Sequence, residues 1–390
     1  MPSTATPPAS TTLTIAHGSP PLVHGVVGQQ RVHFAQFDFL RGLAIVAVVY
    51  LHAYFTAWPE VSQHGLTAVR GAHLVAHGAV PLFFLISAFL QAQGGRETVS
   101  EHLRRRWWST WFPALLWMLA ALAYRMLNDG ASWTLARDLA LFNISGQFYF
   151  VWLLLLFGVG LTQAWRVPPA RWPLVVAAAF LLNLGTVIFY ELNGGLGGLD
   201  GTVAYRNPLA WVFFPVFGAW LGQRGRDAMP LRVVVPALAV MAAAAVTYFV
   251  QGLQFNHWPN AYFGVSVFAF SAAAMCVYPA LAKGIVLAGA GAPFVALSRY
   301  AFAIFLVHLP FVMGFGTREL LGDGATWSNY WLLLHANAIV GLVVSLALVR
   351  ELDKASPRLG ALIFGIRRQR NAGSSRPGKP MAHAGPTVFQ

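Results

Sequence analysis

The sequence predicts an all-α fold, a polytopic membrane helix bundle with about ten transmembrane helices. Of its 390 residues, 57% are hydrophobic and only 10% are charged, whereas soluble domains carry about 25% charged residues. Apolar segments close to the roughly 20 residues that cross a bilayer recur along the chain. The basic residues lie mainly in short segments between these apolar spans, which is typical of membrane topology and not of nucleic-acid binding.

The chain divides into three predicted parts. Residues 1–30 are rich in Ser, Thr and Pro and predict a disordered cytoplasmic tail. Residues 31–350 form the predicted transmembrane domain, and residues 351–390 a basic, largely disordered cytoplasmic tail. The sixth predicted span is short, and the ninth is interrupted by polar residues. The ten predicted spans are 38–56, 71–92, 107–127, 146–165, 172–190, 208–223, 233–252, 261–281, 298–316 and 329–349.

The distribution of positive charge predicts the orientation. Twenty of the 26 Lys and Arg residues fall on the side that holds both termini and the even-numbered loops, and five fall on the opposite side. Cytoplasmic loops are enriched in Lys and Arg. We therefore expect a multi-pass protein of the inner (plasma) membrane with both termini in the cytoplasm.

The first span, FDFLRGLAIVAVVYLHAYF, carries three polar side chains in an otherwise apolar helix: Asp38, Arg41 and His52. At 100° per residue, Arg41 and His52 are about 20° apart around the helix and roughly 16 Å apart along it. Asp38 falls on the same stripe. A charge inside a membrane helix is costly unless it has a partner, so the stripe is a candidate functional site. Two simpler alternatives are that Arg41 extends to the interface and that His52 is a structural polar group.

Three further features are candidates for the same site. Ser87 lies in the apolar run VPLFFLISAFL, where a serine often bonds only to its own helix. Arg104, Arg105 and Arg106 are consecutive, which suits either anionic lipid or the phosphates of a nucleotide-like donor. His308 lies in SRYAFAIFLVHLPF, where a buried histidine is often structural.

His73 and His77 have the i, i+4 spacing of metal ligands on one helix face. No cysteine or third ligand lies near them in the sequence. We therefore expect no metal site, and no permanently bound cofactor.

Several of these segments resemble elements of the acyltransferase-3 family of integral membrane acyltransferases. In FDFLRGLAIVAVVYLH, Asp38, Arg41 and His52 match the first-helix signature of that family position by position. VPLFFLISAFL resembles its second-helix Phe-Phe-x-x-Ser-Gly-Phe element, with Ala88 in place of Gly. HLRRRWWSTWFP resembles the basic loop that enters the third helix, although Thr110 lies in the stretch where a further Arg is usual.

Two later segments extend the resemblance as far as His308. GQFYFVWLLLLF is similar to the aromatic-rich fourth-span element. SRYAFAIFLVHLPF is similar to a late-helix element that ends in Tyr-Leu-x-His, with Phe305 in place of Tyr and His308 at the His position. The resemblance therefore covers most of the predicted membrane domain.

The resemblance implies transfer of an acyl group, often acetyl, from cytoplasmic acetyl-CoA or another acyl-CoA to a hydroxyl of an envelope or exported carbohydrate or glycolipid. It implies that His52, Arg41 and Asp38 are catalytic. The geometry of the stripe is compatible with His52 as general base or transient acyl carrier and with Asp38 orienting Arg41 through a bidentate contact. The implied substrate-binding residues are Ser87, Arg104, Arg105, Arg106 and His308.

Two alternatives remain open at this stage. A transporter or flippase for a lipid-linked or anionic solute also places Arg and His within the membrane, although the sequence has no internal repeat of the kind many transporters show. A different membrane acyltransferase fold, built around one buried histidine, is the second alternative. The matching Asp-Arg-His stripe argues against that second alternative.

Overall fold

A computed structural model describes residues 34–56, 63–130, 132–194, 199, 201–254, 262–313 and 327–366. Within these ranges the chain is α-helical and has no strand. The predicted N-terminal tail, residues 1–30, lies outside the described residues, as do residues 367–390 of the C-terminal tail. The predicted all-α membrane fold is confirmed.

Sixteen α-helices lie within the described ranges. A π-helical turn at Trp107–Trp111 joins the fourth and fifth helices. The α-helices are α1 (Ala35–Thr56), α2 (Gln63–His77), α3 (Ala79–Gln93), α4 (Val99–Arg106), α5 (Phe112–Asp129), α6 (Trp133–Ala140), α7 (Tyr149–Leu161), α8 (Trp172–Leu192), α9 (Gly201–Ala204), α10 (Phe213–Gln223), α11 (Leu231–Gln254), α12 (Val265–Leu287), α13 (Ala292–Ser298), α14 (Ala301–Met313), α15 (Trp327–Ala355) and α16 (Pro357–Phe364).

Among the described residues, eight helical segments are long and apolar enough to cross a membrane, or nine if one bent pair counts as a span. The sixth predicted span, 208–223, accounts for the difference from ten. Its first residues form a 3-10 turn, Pro208–Ala210, and only the eleven residues of α10 are α-helical. At 1.5 Å per residue, α10 covers roughly half of the bilayer core.

The bent pair lies at the ninth predicted span, 298–316. Helices α13 and α14 meet at 85° across Arg299 and Tyr300. The chain therefore bends sharply between two helices, where the sequence predicted one interrupted helix. Arg299 lies in the two-residue break between α13 and α14.

Helix α1 lies at the centre of the bundle, in contact with α2, α3, α12, α13, α14 and α15. Glycines allow the closest approaches between helices. A Cβ atom at Gly42 would overlap the backbone of Phe294 on α13, and one at Gly218 on α10 would overlap the backbone of Leu85 on α3. Close backbone contact through small residues is a common way to pack helices in membranes, where the surrounding lipid is as apolar as the helix surface.

The C-terminal part of the chain remains ordered beyond residue 350. Helix α15 continues to Ala355, and α16 packs against α5 and the π-helical turn. Trp117 Nε1 donates a hydrogen bond of 3.1 Å to the carbonyl of Ile363. The first residues of the predicted C-terminal tail, 351–390, are therefore helical as far as Phe364, and the rest of that prediction concerns residues outside the described ranges.

We predict that Gly218→Ala lowers stability by about 1–3 kcal/mol, because the added methyl group has no space between α10 and α3. Gly185→Ala is the matched control, since the site on α8 is exposed and has open space around a Cβ atom. There the same substitution should be neutral or stabilise the helix by up to about 1 kcal/mol.

Thermal unfolding in detergent measures both effects, followed by a thiol-reactive dye at Cys276, the one cysteine of the chain. Equal unfolding midpoints for the two variants would contradict the close α10–α3 contact.

Candidate active site

The polar stripe of α1 is present, and each of its charged members has a partner. Arg41 Nη1 donates a hydrogen bond of 2.9 Å to Asp38 Oδ1, one turn earlier on the helix. The described contact is a single hydrogen bond, whereas the sequence suggested a bidentate pair. Both side chains remain partly exposed, with 27% and 20% of their surfaces accessible. The pair therefore leaves the guanidinium able to meet a further anion.

At the other end of the stripe, His52 contacts His308 of α14. The Nδ1 atom of His52 lies 3.0 Å from His308 Nε2 and 2.9 Å from the carbonyl oxygen of Val48. The Nδ1 atom of His308 faces two carbonyl oxygens of its own helix, those of Ile304 at 3.1 Å and Phe305 at 2.9 Å. His308 is fully buried.

These contacts assign the protons of the neutral histidine pair. His308 Nδ1 faces only acceptors, so it carries the hydrogen, and Nε2 then has a lone pair. His52 Nδ1 faces that lone pair and the Val48 carbonyl, so it must also carry its hydrogen. The remaining nitrogen, His52 Nε2, is therefore unprotonated, and it makes no hydrogen bond among the described residues. It is available as a base.

His52 lines a cavity of about 250 Å³, named here the His52 cavity. Its walls combine aromatic rings with hydroxyl, amide and guanidinium groups. The lining residues are Val48, Leu51, His52, Val80, Asn143, Gly146, Gln147, Tyr149, Phe150, Gly201, Thr202, Tyr205, Arg206, Tyr262 and Phe305.

Two tyrosines of this wall lie outside the membrane-spanning segments. Burial raises the pKa of Tyr205 to about 12, and burial also raises the pKa of Tyr262. Both phenols therefore keep their protons at neutral pH and can donate hydrogen bonds into the His52 cavity.

A hydrogen-bond network holds the polar part of the wall. Arg206 donates to the carbonyl of Phe142 at 2.7 Å and to Asn143 Oδ1 at 3.1 Å. Asn143 Nδ2 donates to Thr202 Oγ1 at 3.1 Å and to Asp138 Oδ1 at 3.3 Å. Burial alone would raise the pKa of Asp138, but hydrogen bonds from Asn143 and two arginines outweigh it and lower the pKa. The carboxylate is thus a fixed negative charge behind the wall.

Arg41 lines a second cavity, of about 340 Å³, named here the Arg41 cavity. Three arginines and four hydroxyl side chains line it, together with apolar groups. The lining residues are Arg41, Phe83, Ile86, Ser87, Leu90, Arg106, Ser109, Thr110, Phe150, Leu154, Ser298, Arg299, Ala301, Phe302, Phe305 and Gly365. This arrangement suits a ligand with a negatively charged end and an apolar arm.

The structure brings together only some of the predicted binding residues. Ser87 and Arg106 line the Arg41 cavity with Arg41. Arg104 is exposed and Arg105 bonds to Glu97 at 2.6 Å, so neither lines either cavity. His308 contacts His52 and does not line a cavity. Direct substrate binding by Arg104, Arg105 and His308 stays a prediction without support from this geometry.

Sequence reasoning missed the polar residues that other helices contribute. Arg299 and Arg206 were counted only as charges that set topology, and Asn143 and Thr202 lie in segments of no recognisable pattern. One signal was available for Arg299: it interrupts an apolar span, and the chain bends there.

The two cavities meet at a pair of phenylalanines. Phe150 and Phe305 each line both cavities, and their rings pack edge to face with centroids 5.4 Å apart. Both side chains are at least nine-tenths buried. This pair, the phenylalanine barrier, separates the space beside Arg41 from the space beside His52.

The imidazole rings of His73 and His77 pack against each other and against two tyrosine rings. Their centroids are 4.0 Å apart, between Tyr54 on one side and Tyr262 on the other. Within the described part of the chain, no group of three or more His, Cys, Asp or Glu side chains is placed to hold a metal ion.

Comparison with known proteins agrees with the arrangement. The model of the acyltransferase-3 family, described as an acyltransferase domain, matches residues 34–350 and so includes every residue of both cavities except Gly365. No curated protein and no solved structure matches the chain. Because the matched segment covers most of the sequence, the chain belongs to the acyltransferase-3 family and is a membrane acyltransferase.

Proposed function

We propose that this protein transfers an acyl group, typically acetyl, from cytoplasmic acyl-CoA to a hydroxyl of a carbohydrate or glycolipid of the cell envelope. The observation that carries the proposal is the placement of Arg41 and His52. One central helix presents the arginine to one cavity and the histidine to another, and the two phenylalanines of the barrier line both cavities.

The Arg41 cavity supports an acyl-CoA donor. Guanidinium groups form strong, charge-assisted hydrogen bonds with phosphates, and Arg41, Arg106 and Arg299 face one space. The apolar side chains Phe83, Leu154 and Phe302 continue from there towards the barrier. A pantetheine arm is about as long as the roughly 16 Å between Arg41 and His52 along the helix, so a thioester can approach His52 while the phosphates stay near the arginines.

The His52 cavity supports a carbohydrate acceptor. Its tyrosines provide flat apolar faces and phenol donors, while Asn143, Gln147 and Thr202 provide amide and hydroxyl groups. Small-molecule sites commonly combine apolar walls with a few polar groups that fix orientation. A sugar ring presents the matching mixture of C–H faces and hydroxyls.

The chemical step begins with the bare Nε2 of His52. In the direct route, this nitrogen takes the proton of the acceptor hydroxyl while the oxygen attacks the thioester carbon. The C–O bond forms, the C–S bond breaks, and the proton passes from His52 to the departing thiolate of CoA. In the alternative route, Nε2 attacks the thioester carbon, the N–C bond forms, and CoA leaves as a thiolate. The acceptor hydroxyl then attacks the acyl carbon, the N–C bond breaks, and the hydroxyl proton passes to the thiolate.

His308 supports His52 in either route. When His52 becomes positively charged, its Nδ1–H bond points at two electron-rich groups, His308 Nε2 and the Val48 carbonyl. His308 has no path along which to pass the proton further, because its own Nδ1–H is bound to backbone carbonyls. It therefore acts as a fixed acceptor that positions the ring.

The transporter alternative uses the same buried arginine and histidine. Membership of an acyltransferase family favours the enzyme, as does the unprotonated Nε2 of a histidine that lines a cavity. Binding of acetyl-CoA without any acyl transfer would favour transport.

We predict that Arg41→Ala weakens acetyl-CoA binding by about 10- to 100-fold. The reason is that the variant loses a hydrogen bond to a charged group, which contributes about 1.5–3 kcal/mol to binding. Arg104→Ala is the matched control, because Arg104 is exposed and lies outside the cavity. Calorimetry with purified protein in detergent measures both affinities. An intact wild-type protein that binds neither acetyl-CoA nor longer acyl-CoAs would refute the proposed donor.

We predict that His52→Ala lowers kcat by about 10²- to 10⁴-fold, the usual contribution of a general base. His308→Leu should lower kcat by about 10- to 100-fold with little change in KM for the donor, since it removes one acceptor of the Nδ1 hydrogen. His308→Gln should recover much of that loss, because its amide oxygen can accept near the Nε2 position.

The assay follows transfer from radiolabelled acetyl-CoA to the envelope saccharides of membranes from producing cells. Wild-type kcat in correctly inserted His52→Ala protein would exclude the catalytic role. Equal losses in His308→Leu and His308→Gln would exclude the positioning role.

Orientation gives a separate prediction. The segments that carry Arg106 and Arg299 lie on the side with most of the positive charge, so the Arg41 cavity should open to the cytoplasm, where acyl-CoA is made. A C-terminal tag should be protected from protease added to intact cells and should become accessible after the membrane is opened. Cleavage of the tag in intact cells would reverse the orientation.

A further inference from the structure

The chain beyond residue 350 lies outside the matched family segment, yet it folds against the Arg41 cavity. Helix α15 continues to Ala355, and Ser356 then caps α16, with its Oγ accepting from the Leu359 N–H at 3.4 Å. The helix ends at Phe364, and Gly365, which follows it, has a φ of 67° in the left-handed region. Residues 351–366 are called the C-terminal clamp below.

The end of the C-terminal clamp forms part of the cavity wall. Gly365 lines the Arg41 cavity together with Ser109 of the π-helical turn. A Cβ atom at Gly365 would overlap the carbonyl of Ser109, so the two backbones are in direct contact. Glycine is required there both for its conformation and for the space.

Aromatic packing anchors this contact. Phe364 is 1% exposed and its ring stacks on Trp117 at a centroid distance of 6.1 Å. Trp117 also donates its indole hydrogen to the carbonyl of Ile363. The clamp is thus held against α5 on one side of the π-helical turn that carries Ser109.

The beginning of the clamp holds a charged group of the cavity. Asp353 is 4% exposed, and its Oδ2 accepts a hydrogen bond of 2.8 Å from Arg299 Nη2. The Arg299 side chain is 49% exposed and lines the cavity. A half-exposed arginine side chain can adopt many rotamers. Because the buried carboxylate of Asp353 binds the guanidinium, it favours the rotamers that keep this group at the cavity.

We propose that the C-terminal clamp is part of the acyl-donor site, where Gly365 closes the wall beside Ser109 and Asp353 holds Arg299 towards the phosphates of CoA. This assignment rests on the proposed function, because it takes the donor to be a CoA thioester. It adds to the site two positioning residues from outside the family segment.

The first test compares Gly365→Ala with Gly225→Ala. Both glycines have left-handed backbones, with φ of 67° and 62°, but only Gly365 has a neighbour that a methyl group would meet. Calorimetry with CoA, on the full chain in phosphatidylcholine nanodiscs, should show a Kd at least 5-fold higher for Gly365→Ala. Gly225→Ala should bind within about 2-fold of the wild type.

The second test removes the charge contact without changing the packing. Asp353→Asn and Arg299→Gln should each raise the Kd for CoA several-fold. The Kd of the double variant should not exceed the higher of the two single-variant values. Such non-additivity is the signature of two residues that act as a unit. The KM for acetyl-CoA should rise by a similar factor in each variant, because KM and the Kd for CoA depend on the same arginine.

The results distinguish failure of the proposed role of the clamp from failure of the proposed acyl-CoA donor. If the wild type binds CoA and all three single variants bind it equally well, the clamp has no role in the donor site and the proposed function stands. If the intact wild type binds no CoA, both fail. If the variants differ from the wild type only in phosphatidylglycerol nanodiscs, the arginines bind a lipid phosphate, and the donor assignment is overturned.

Discussion

The polar side chains of the central helix α1 must be paired or hydrogen-bonded, and the arrangement of the site depends on this constraint. Charged and ionisable side chains are expensive in an apolar interior unless they are paired or hydrogen-bonded. In α1, Arg41 meets this condition with Asp38 on the same helix, whereas His52 needs His308 from α14. The second contact fixes the rotation of both helices, because each histidine also binds carbonyls of its own backbone. The hydrogen bonds that satisfy these buried polar groups therefore also position the residues of the site.

Much of this could be predicted from residue spacing alone. The 3.6-residue period places Asp38, Arg41 and His52 on one face, and the structure finds a cavity at each end of that face. Membrane length and hydropathy predicted most of the spans, because each helix must satisfy its own backbone in lipid. The sixth span was the exception, since Pro208 begins a 3-10 turn and only eleven residues continue as α10.

The rest of the site depends on contacts between segments that are far apart in the sequence. Arg104, Arg105 and Arg106 look equivalent as a run of letters, but Glu97 binds Arg105 and only Arg106 reaches the cavity. The π-helical turn that follows changes the helical register, so that Ser109 and Thr110 both face the cavity with Arg106. Turns of this kind often occur at functional sites. Arg299 likewise becomes a cavity residue only because α13 and α14 meet at 85°.

The phenylalanine barrier distinguishes transfer of a group from transport of a molecule. A nucleotide diphosphate carries charges that the arginines of the Arg41 cavity can neutralise, and it would lose those partners on passing between Phe150 and Phe305. An acyl-pantetheine arm carries no net charge, and its apolar end suits the aromatic rings. With the proposed acyl-CoA donor, the arginines on one side of the barrier would retain the charged part, and only the reactive end would reach the unprotonated histidine nitrogen on the other side. The physical cost of crossing the barrier therefore supports the proposed acyl transfer at His52 over passage of the whole donor.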